Sequence, residues 1–422
     1  MAATPVHPLE LSARVIDSGV ADEPVNRVTN ELAELADGVA LVESFSHSAA
    51  VDTGDHLVVF DASGAATGRA VVEALRGWSS KPVRRLVYTH GHVDHVGGSG
   101  AFAADADAGR RPPPEVIAHR AVPDRLARYR ATDGWNRAIN ARQFGWLAGA
   151  GGLGIGGSGR FLPDDVLDPD TTFDRTLTLD GDGIELHHER GETDDHTWAW
   201  IPARRAVVTG DFLIWNFPNA GNPQKVQRYP DRWAVALREM LALDPELLVP
   251  AHGLPIAGRD RIATVLGEVA TALEQLVADV VAAMNAGATL DEVLHGVRVD
   301  PGLLERPWLR PLYDEPEFVV RNTWRLFGGW WDGNPARLKP PPDATLAAEV
   351  AALAGGARRL ADRAAEVADA GDLRLACQLA EWAAQADPTD PGIGEVRTGL
   401  YRRRAAGETS LMAKGVFRSA AG

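Results

Sequence analysis

Tyr88-Thr89-His90-Gly91-His92-Val93-Asp94-His95-Val96-Gly97-Gly98 is the stretch from which this 422-residue chain is best read. Three histidines and an aspartate fall within six positions, directly after the apolar run 83–88. His90 and His92, two residues apart in an extended segment, place both imidazoles on one side, while Asp94 and His95 turn toward a neighbouring position. Imidazole and carboxylate are the donors that borderline divalent ions prefer. A polar surface loop is the competing picture, but it does not account for so many coordinating side chains in front of two small residues. A metal centre, with two ions side by side, is the first expectation.

The formal net charge of −15 and a pI near 5.3 disfavour a phosphate backbone as partner, because nucleic-acid binding rests on a lysine and arginine surface. No nucleic acid and no membrane are expected, the latter because no apolar run reaches spanning length. Cys377 is the lone cysteine, which excludes an internal disulfide framework and a thiolate cluster and suits a reducing compartment. The N-terminal residues lack the charged head and apolar core of a leader, so a cytoplasmic location is expected.

Apolar runs at 39–45 and 57–61 read as antiparallel strands, followed by a helix over 65–77 and a strand over 83–88. A strand at 115–119 and a long polar helix over 122–146 continue the alternation and favour an α/β class. The segment 149–159 is mostly glycine. Without the Gly-Lys-Ser/Thr ending of a phosphate loop it reads as a mobile lid. Two hairpins at 177–188 and 197–209 and a buried strand at 247–250 complete the first unit. From about residue 258 alanine-rich helical windows replace strands. This divides the chain into an α/β domain, residues 1–265, and an all-α domain, residues 266–422. Leu353, Ala357, Leu360, Ala364 and Val367 recur at steps of four and three, and Leu375, Leu379 and Trp382 or Ala383 repeat the stripe after Gly371-Asp372, which predicts two packed antiparallel helices. Trp330-Trp331 reads as interdomain core.

The remaining metal donors must come from other strand ends. Gly191-Glu192-Thr193-Asp194-Asp195-His196 lies between the hairpins, Thr209-Gly210-Asp211 closes one strand, and Pro250-Ala251-His252-Gly253 closes the last. The His-x-His-x-Asp-His stretch with strand-end Asp211 and His252 resembles the metallo-β-lactamase fold superfamily over about residues 30–265. The resemblance implies an αββα sandwich. In that superfamily a histidine usually stands where this chain has Glu192. Glutamate there, with Gly-Gly-Trp-Trp-Asp-Gly-Asn-Pro at 328–335, Leu-Ala-Gly-Gly at 353–356 and Ser-Leu-Met-Ala-Lys-Gly at 410–415, is similar to the alkyl sulfatase family and its helical dimerisation domain.

That resemblance implies two zinc ions, one on His90, His92 and Glu192, the other on Asp94, His95 and His252, with Asp211 bridging. His196 becomes a second-layer or substrate-facing group; the alternative makes His196 the ligand and Glu192 a solvated acid. His188 is read as a donor behind the ligands or a core histidine. Asp94, Asp211 and His196 are the candidate catalytic residues: two divalent ions lower the pKa of a shared water toward neutrality, and Asp94 accepts a proton or fixes that water. A sulfate ester also needs cationic and amide donors. Asn136, Asn140 and Gln143 share one helix face by three-and-four spacing, Arg142 points elsewhere unless the helix bends, and Asn216, Asn219 and Lys225 follow directly after Asp211. The expected activity is hydrolysis of a small-molecule sulfate ester to alcohol and sulfate in a homodimer. The rivals are a carboxylic ester, lactone or phosphate ester on the same metals, an iron-bound redox enzyme of the same fold, and a noncatalytic scaffold. With the chain ending at Gly422, a shorter or bulkier ester is expected over a long detergent-like one.

Overall fold

The computed structural model describes residues 6–145 and 159–422. Seven strands form the first sheet in sequential order: β1 (Leu32–Ala36), β2 (Val39–Val42), β3 (Ser48–Asp52), β4 (Leu57–Phe60), β5 (Val83–Val87), β6 (Glu115–His119) and β7 (Thr171–Phe173). Neighbours from β1 to β4 run antiparallel, and those from β4 to β7 run parallel. The second sheet holds six: β8 (Thr176–Leu179), β9 (Ile184–His188), β10 (Thr197–Ile201), β11 (Ala206–Gly210), β12 (Leu247–Pro250) and β13 (Ile256–Ala257). Only β11 and β12 pair in parallel there.

Three apolar layers order the molecule. Leu41, Val51, Phe60, Val87 and Ile117 of the first sheet meet Leu186, Ala199, Ile201, Val208 and Val249 of the second, which makes the two sheets a sandwich. Helices Gly68–Trp78, Ser99–Ala108 and Val122–Ala131 cover the outside of the first sheet. Pro8–Ser18, Pro230–Ala242, Arg259–Asn285 and Pro316–Gly328 cover the second. The αββα sandwich and the helical C-terminal region are both as expected.

Several expectations are corrected. The strands β1 and β3 were not anticipated: Leu-Ala-Glu-Leu-Ala and Ser-Ala-Ala-Val-Asp contain few of the β-branched and aromatic residues that mark strands, yet β3 lies between two partners and is nearly all buried. The single helix over 122–146 is two, Val122–Ala131 and Asp133–Phe144, broken at Thr132, whose hydroxyl donates to the Arg128 carbonyl at 2.7 Å. The boundary at 265/266 falls inside helix Arg259–Asn285, which shares its core with the second sheet. The unit with its own cores begins later, at helices Asp343–Ala354, Ala357–Asp369, Leu373–Ala386 and Pro391–Gly407. There Leu360, Ala364 and Val367 are buried as the stripe predicts, but Leu353 is 89% exposed. Trp330, 71% exposed, is not core either. The expected glycine-rich lid at 149–159 lies outside the described residues except for Gly159. The last helix, Leu411–Ala420, returns from the helical unit to pack on Asp133–Phe144.

Phe60, 2% exposed between the sheets, tests the sandwich. Phe60→Ala is expected to cost about 3–5 kcal/mol, read as a lower urea midpoint at unchanged slope; a loss below about 1 kcal/mol would contradict face-to-face packing at that position.

Candidate metal centre

The loop after β5, the turn between β9 and β10, and the ends of β11 and β12 converge at one rim of the sandwich. Backbone hydrogen bonds tie them together: Thr197 N donates to Thr89 O at 2.6 Å, Ala251 N to Gly210 O at 3.1 Å, and His47 N to Ala251 O at 2.7 Å. Buried Arg125 adds a charged brace. Its Nε lies 2.6 Å from Asp195 Oδ2, which also accepts the Gly91 amide at 3.2 Å, and its other end pairs with Asp194. The His90–His95 loop is therefore tied to the Glu192–His196 loop through the Gly91 amide on Asp195, a carboxylate that buried Arg125 holds in place.

Two donor sets result. His90, His92 and Asp211 bring one ligand atom each within 4.8 Å of one another, and so do Asp94, His95 and His252. Asp211 stands between the sets. Its Oδ2 is 3.9 Å from His90 Nε2, while Oδ1 is 3.4 Å from His95 Nε2 and 3.6 Å from His252 Nε2. Glu192 lies beside the first set, 3.4 Å from His92 Nδ1, with the same Oε1 receiving the Asn219 amide and the Arg228 guanidinium at 2.6 Å each. Burial, and the Asp211 carboxylate beside it, raise Glu192 to about 8 despite Arg228. Burial acts on Asp211 in the same sense, but the His95 and His252 imidazoles outweigh it and hold Asp211 well below the usual carboxylate range. Glu192 Oε2, Asp211 Oδ1 and His95 Nε2 are buried without a hydrogen-bond partner. Buried polar atoms are ordinarily satisfied, and facing carboxylates flanked by imidazole nitrogens are what divalent cations satisfy. The residues present fit metal ions.

Supporting groups hold the donors in place. His95 Nδ1 lies 2.8 Å from Asp61 Oδ2 and 3.1 Å from Ser46 Oγ, which leaves Nε2 for a ligand. Asp61 has φ +60° and also receives the Thr89 amide at 2.8 Å and the Thr89 hydroxyl at 2.7 Å. The sequence reading missed Asp61, which has no spacing signal, although an aspartate at the end of β4, the strand that pairs with β5, was a searchable position. His196 lies beside the donors but belongs to neither set. Its Nε2 accepts the Asp211 amide at 3.1 Å, and burial lowers its pKa to about 3. Its ring stacks on Phe212 at 4.1 Å and lies 4.6 Å from His90. Gly210, at φ +54°, leaves room for it: a Cβ there would meet His196 Nε2 at 2.6 Å. His188 donates from Nδ1 to the His196 carbonyl at 2.8 Å and stacks on His119.

Asp94, His92, Glu192, Asp211 and His252 face a cavity of about 450 Å³. Asn140, Asn216, Asn219 and Lys225 line it too, so these four sequence candidates come together with the metal donors. Three others do not. Asn136 turns back to Thr132, with Nδ2 2.8 Å from its hydroxyl; exposed Arg142 donates to Gln224; Gln143 lies behind the wall and donates to the Tyr313 hydroxyl at 3.2 Å. Lys225 Nζ contacts Asn140 Oδ1 at 3.4 Å, and burial, with Arg228 nearby, lowers its pKa to about 8. Arg228 and Tyr313 line the cavity without having been singled out, because neither belongs to a cluster of ligand types. Phe45, Phe144, Phe161, Ile214, Leu312 and Leu411 give the cavity an apolar side.

Asp61→Asn is expected to weaken metal binding about 10–100-fold, measured by competition with a chromophoric chelator; unchanged affinity would mean that the Asp61–His95 bond does not orient the ligand.

The comparisons with known proteins bear on family and fold. The metallo-beta-lactamase superfamily matches residues 41–252, and alkyl sulfatase dimerisation matches residues 289–422. A linear primary-alkylsulfatase of Pseudomonas sp. is 27% identical over 353 residues, covering 79% of this chain and 65% of that protein. An (R)-specific secondary-alkylsulfatase of Pseudomonas sp. is 26% identical over 328 residues, covering 74% of this chain and 49% of the relative. The chain thus spans between about half and two thirds of these relatives' lengths. The solved structure of the stereoselective inverting sec-alkylsulfatase Pisa1 from Pseudomonas sp. superposes with a TM-score of 0.77 at 21% identity, over 92% of this chain and 64% of that one, and so shares its fold. Strand ends that deliver His90, His92, Asp94, His95, Asp211 and His252 to one rim, and a family match over the same segment, place this chain in the metallo-beta-lactamase superfamily, with an alkyl sulfatase dimerisation segment following the sandwich.

Proposed function

We propose that this protein is a dinuclear zinc hydrolase that cleaves a sulfate ester of a small apolar alcohol to the alcohol and sulfate. The observation that carries the reading is one cavity combining two metal-capable donor sets, the half-buried ammonium of Lys225 beside Asn140, and an apolar wall. The names of the curated relatives, three alkylsulfatases and one alkyl/aryl-sulfatase, support the substrate class.

His90, His92, Glu192 and Asp211 would hold one ion, and Asp94, His95, His252 and Asp211 the other. Zinc in such a pair supplies a bound water of near-neutral pKa and positive charge for an anionic ester. The chain's own groups supply the rest. Lys225 and Arg228 are hydrogen-bond donors from the wall beside the metal donors and suit the oxygens of a sulfate group, while Asn140 accepts from Lys225 and Asn219 donates to Glu192. Arg228 is already shared by Glu192 and the Asn219 carbonyl, so Lys225 is the cation most available to an incoming anion. Low dielectric makes such preorganised donors most effective as charge moves to the leaving oxygen. Asp94, facing the cavity with Oδ2 3.4 Å from His252 Nε2, suits holding the attacking water's proton. His196 acts through the Asp211 backbone and does not face the cavity. The dimerisation segment supports a homodimer.

Elemental mass spectrometry on purified protein, with sulfate release from primary and secondary alkyl sulfates in the same sample, tests the reading. About two zinc ions per chain with chelator-sensitive sulfate release are expected. Two zincs without sulfate release would retain the metallohydrolase and discard the sulfatase; iron with oxygen consumption would overturn both. Lys225→Ala is expected to raise KM for the ester about tenfold or more at unchanged metal content; an unchanged KM would remove Lys225 from anion binding.

A further inference from the structure

We propose that the C-terminal helix Leu411–Ala420 is a working part of the substrate cavity, with Leu411 setting the size of the organic group admitted. The inference rests on the sulfate-ester reading for the identity of the anion, and it extends the role of a segment whose family match concerns dimerisation.

The helix is attached to the cavity wall, not only to the helical unit. Ser410 Oγ donates to Tyr313 O at 2.9 Å, Leu411 N to Leu312 O at 2.8 Å, and Met412 N to Tyr313 O at 3.4 Å. Together these bonds seat Leu411 next to Leu312 and Tyr313, and all three side chains line the cavity that holds the metal donors. Gly415 allows the approach: a Cβ there would lie 1.9 Å from the Gln143 carbonyl oxygen, so the helix backbone rests on the last turn of Asp133–Phe144. The opposite side of the 312–314 segment is equally fixed. Asp314, fully buried, accepts the Gly221 amide at 2.6 Å and the Asn222 amide at 3.0 Å, which joins this wall to the loop carrying Asn219 and Lys225. The wall is therefore pinned on both sides and cannot recede from a ligand without breaking these bonds. An anion held at Lys225 and the metal donors projects its organic part toward this apolar side, where a rigid wall admits a compact group and turns away a long one.

The test is binding of straight-chain alkanesulfonates, ethane- through decanesulfonate, to the zinc-loaded full chain by calorimetry. Sulfonates are not hydrolysed, so the readout does not depend on catalysis. Affinity is expected to rise about fourfold per methylene and then level off at the length that reaches Leu411. Leu411→Trp should bring the levelling to shorter chains, and Leu411→Ala should move it to longer ones, with inorganic sulfate binding unchanged within about twofold. The same levelling length in wild type and both variants would overturn the proposal. Should Leu411→Trp fail to fold, Leu411→Ala and Leu411→Met carry the same comparison. A length profile that shifts as expected in a protein that releases no sulfate would leave the wall standing and refute the sulfatase reading alone.

Discussion

A single buried carboxylate, that of Asp211, lies within 4 Å of imidazole nitrogens from His90, His95 and His252, which come from two different sheets. It belongs to the first donor set and also contacts two members of the second. An aspartate side chain is short, so its backbone must be placed closely. The left-handed Gly210 turns the chain at the end of β11, and His196 receives the Asp211 amide on an unprotonated Nε2. That hydrogen bond requires a neutral imidazole with its proton on Nδ1, and burial favours the neutral ring. The residue's role is thus positional, and it accounts for a histidine that is buried beside the donors without being one.

The rest of the structure brings strand ends to the same place and keeps them there. The parallel part of the first sheet delivers the histidine loop from β5, and the parallel pair β11 and β12 delivers Asp211 and His252 side by side. Arg125 with Asp195, and Asp61 with His95 and Thr89, lock the loops by charge-assisted bonds in a water-poor setting. The rest of the cavity wall is built differently. It combines the loop after Asp211, the helix Asp133–Phe144, and a helix that arrives from the far end of the chain. The metal-capable donors and the apolar wall are therefore carried by separate elements, the usual arrangement when loops vary on a fixed scaffold.

The donor atoms were legible because ligand chemistry demands particular side chains at close spacing: His90 to His95 announce themselves, and Asp211 and His252 stand at ends of strands readable from apolar runs. The layer behind them was not. Asp61 and Arg125 act through tertiary proximity, with partners 34 and 70 residues away in sequence, and no local pattern marks them. Helical spacing placed Asn136, Asn140 and Gln143 on one face, yet only Asn140 lines the cavity, because the break at Thr132 captures Asn136 as an internal cap. Strands β1 and β3 escaped because pairing with neighbours, not propensity, makes them strands. Leu411 was visible only as part of a family signature, since its place in the cavity depends on a helix crossing back over the sandwich.

Anomalous diffraction at the zinc edge from crystals of the zinc-loaded protein examines the central claim most directly. The account predicts two peaks on either side of the Asp211 carboxylate, one among His90, His92 and Glu192 and the other among Asp94, His95 and His252. A single peak, or two peaks of which Asp211 touches one alone, would contradict it.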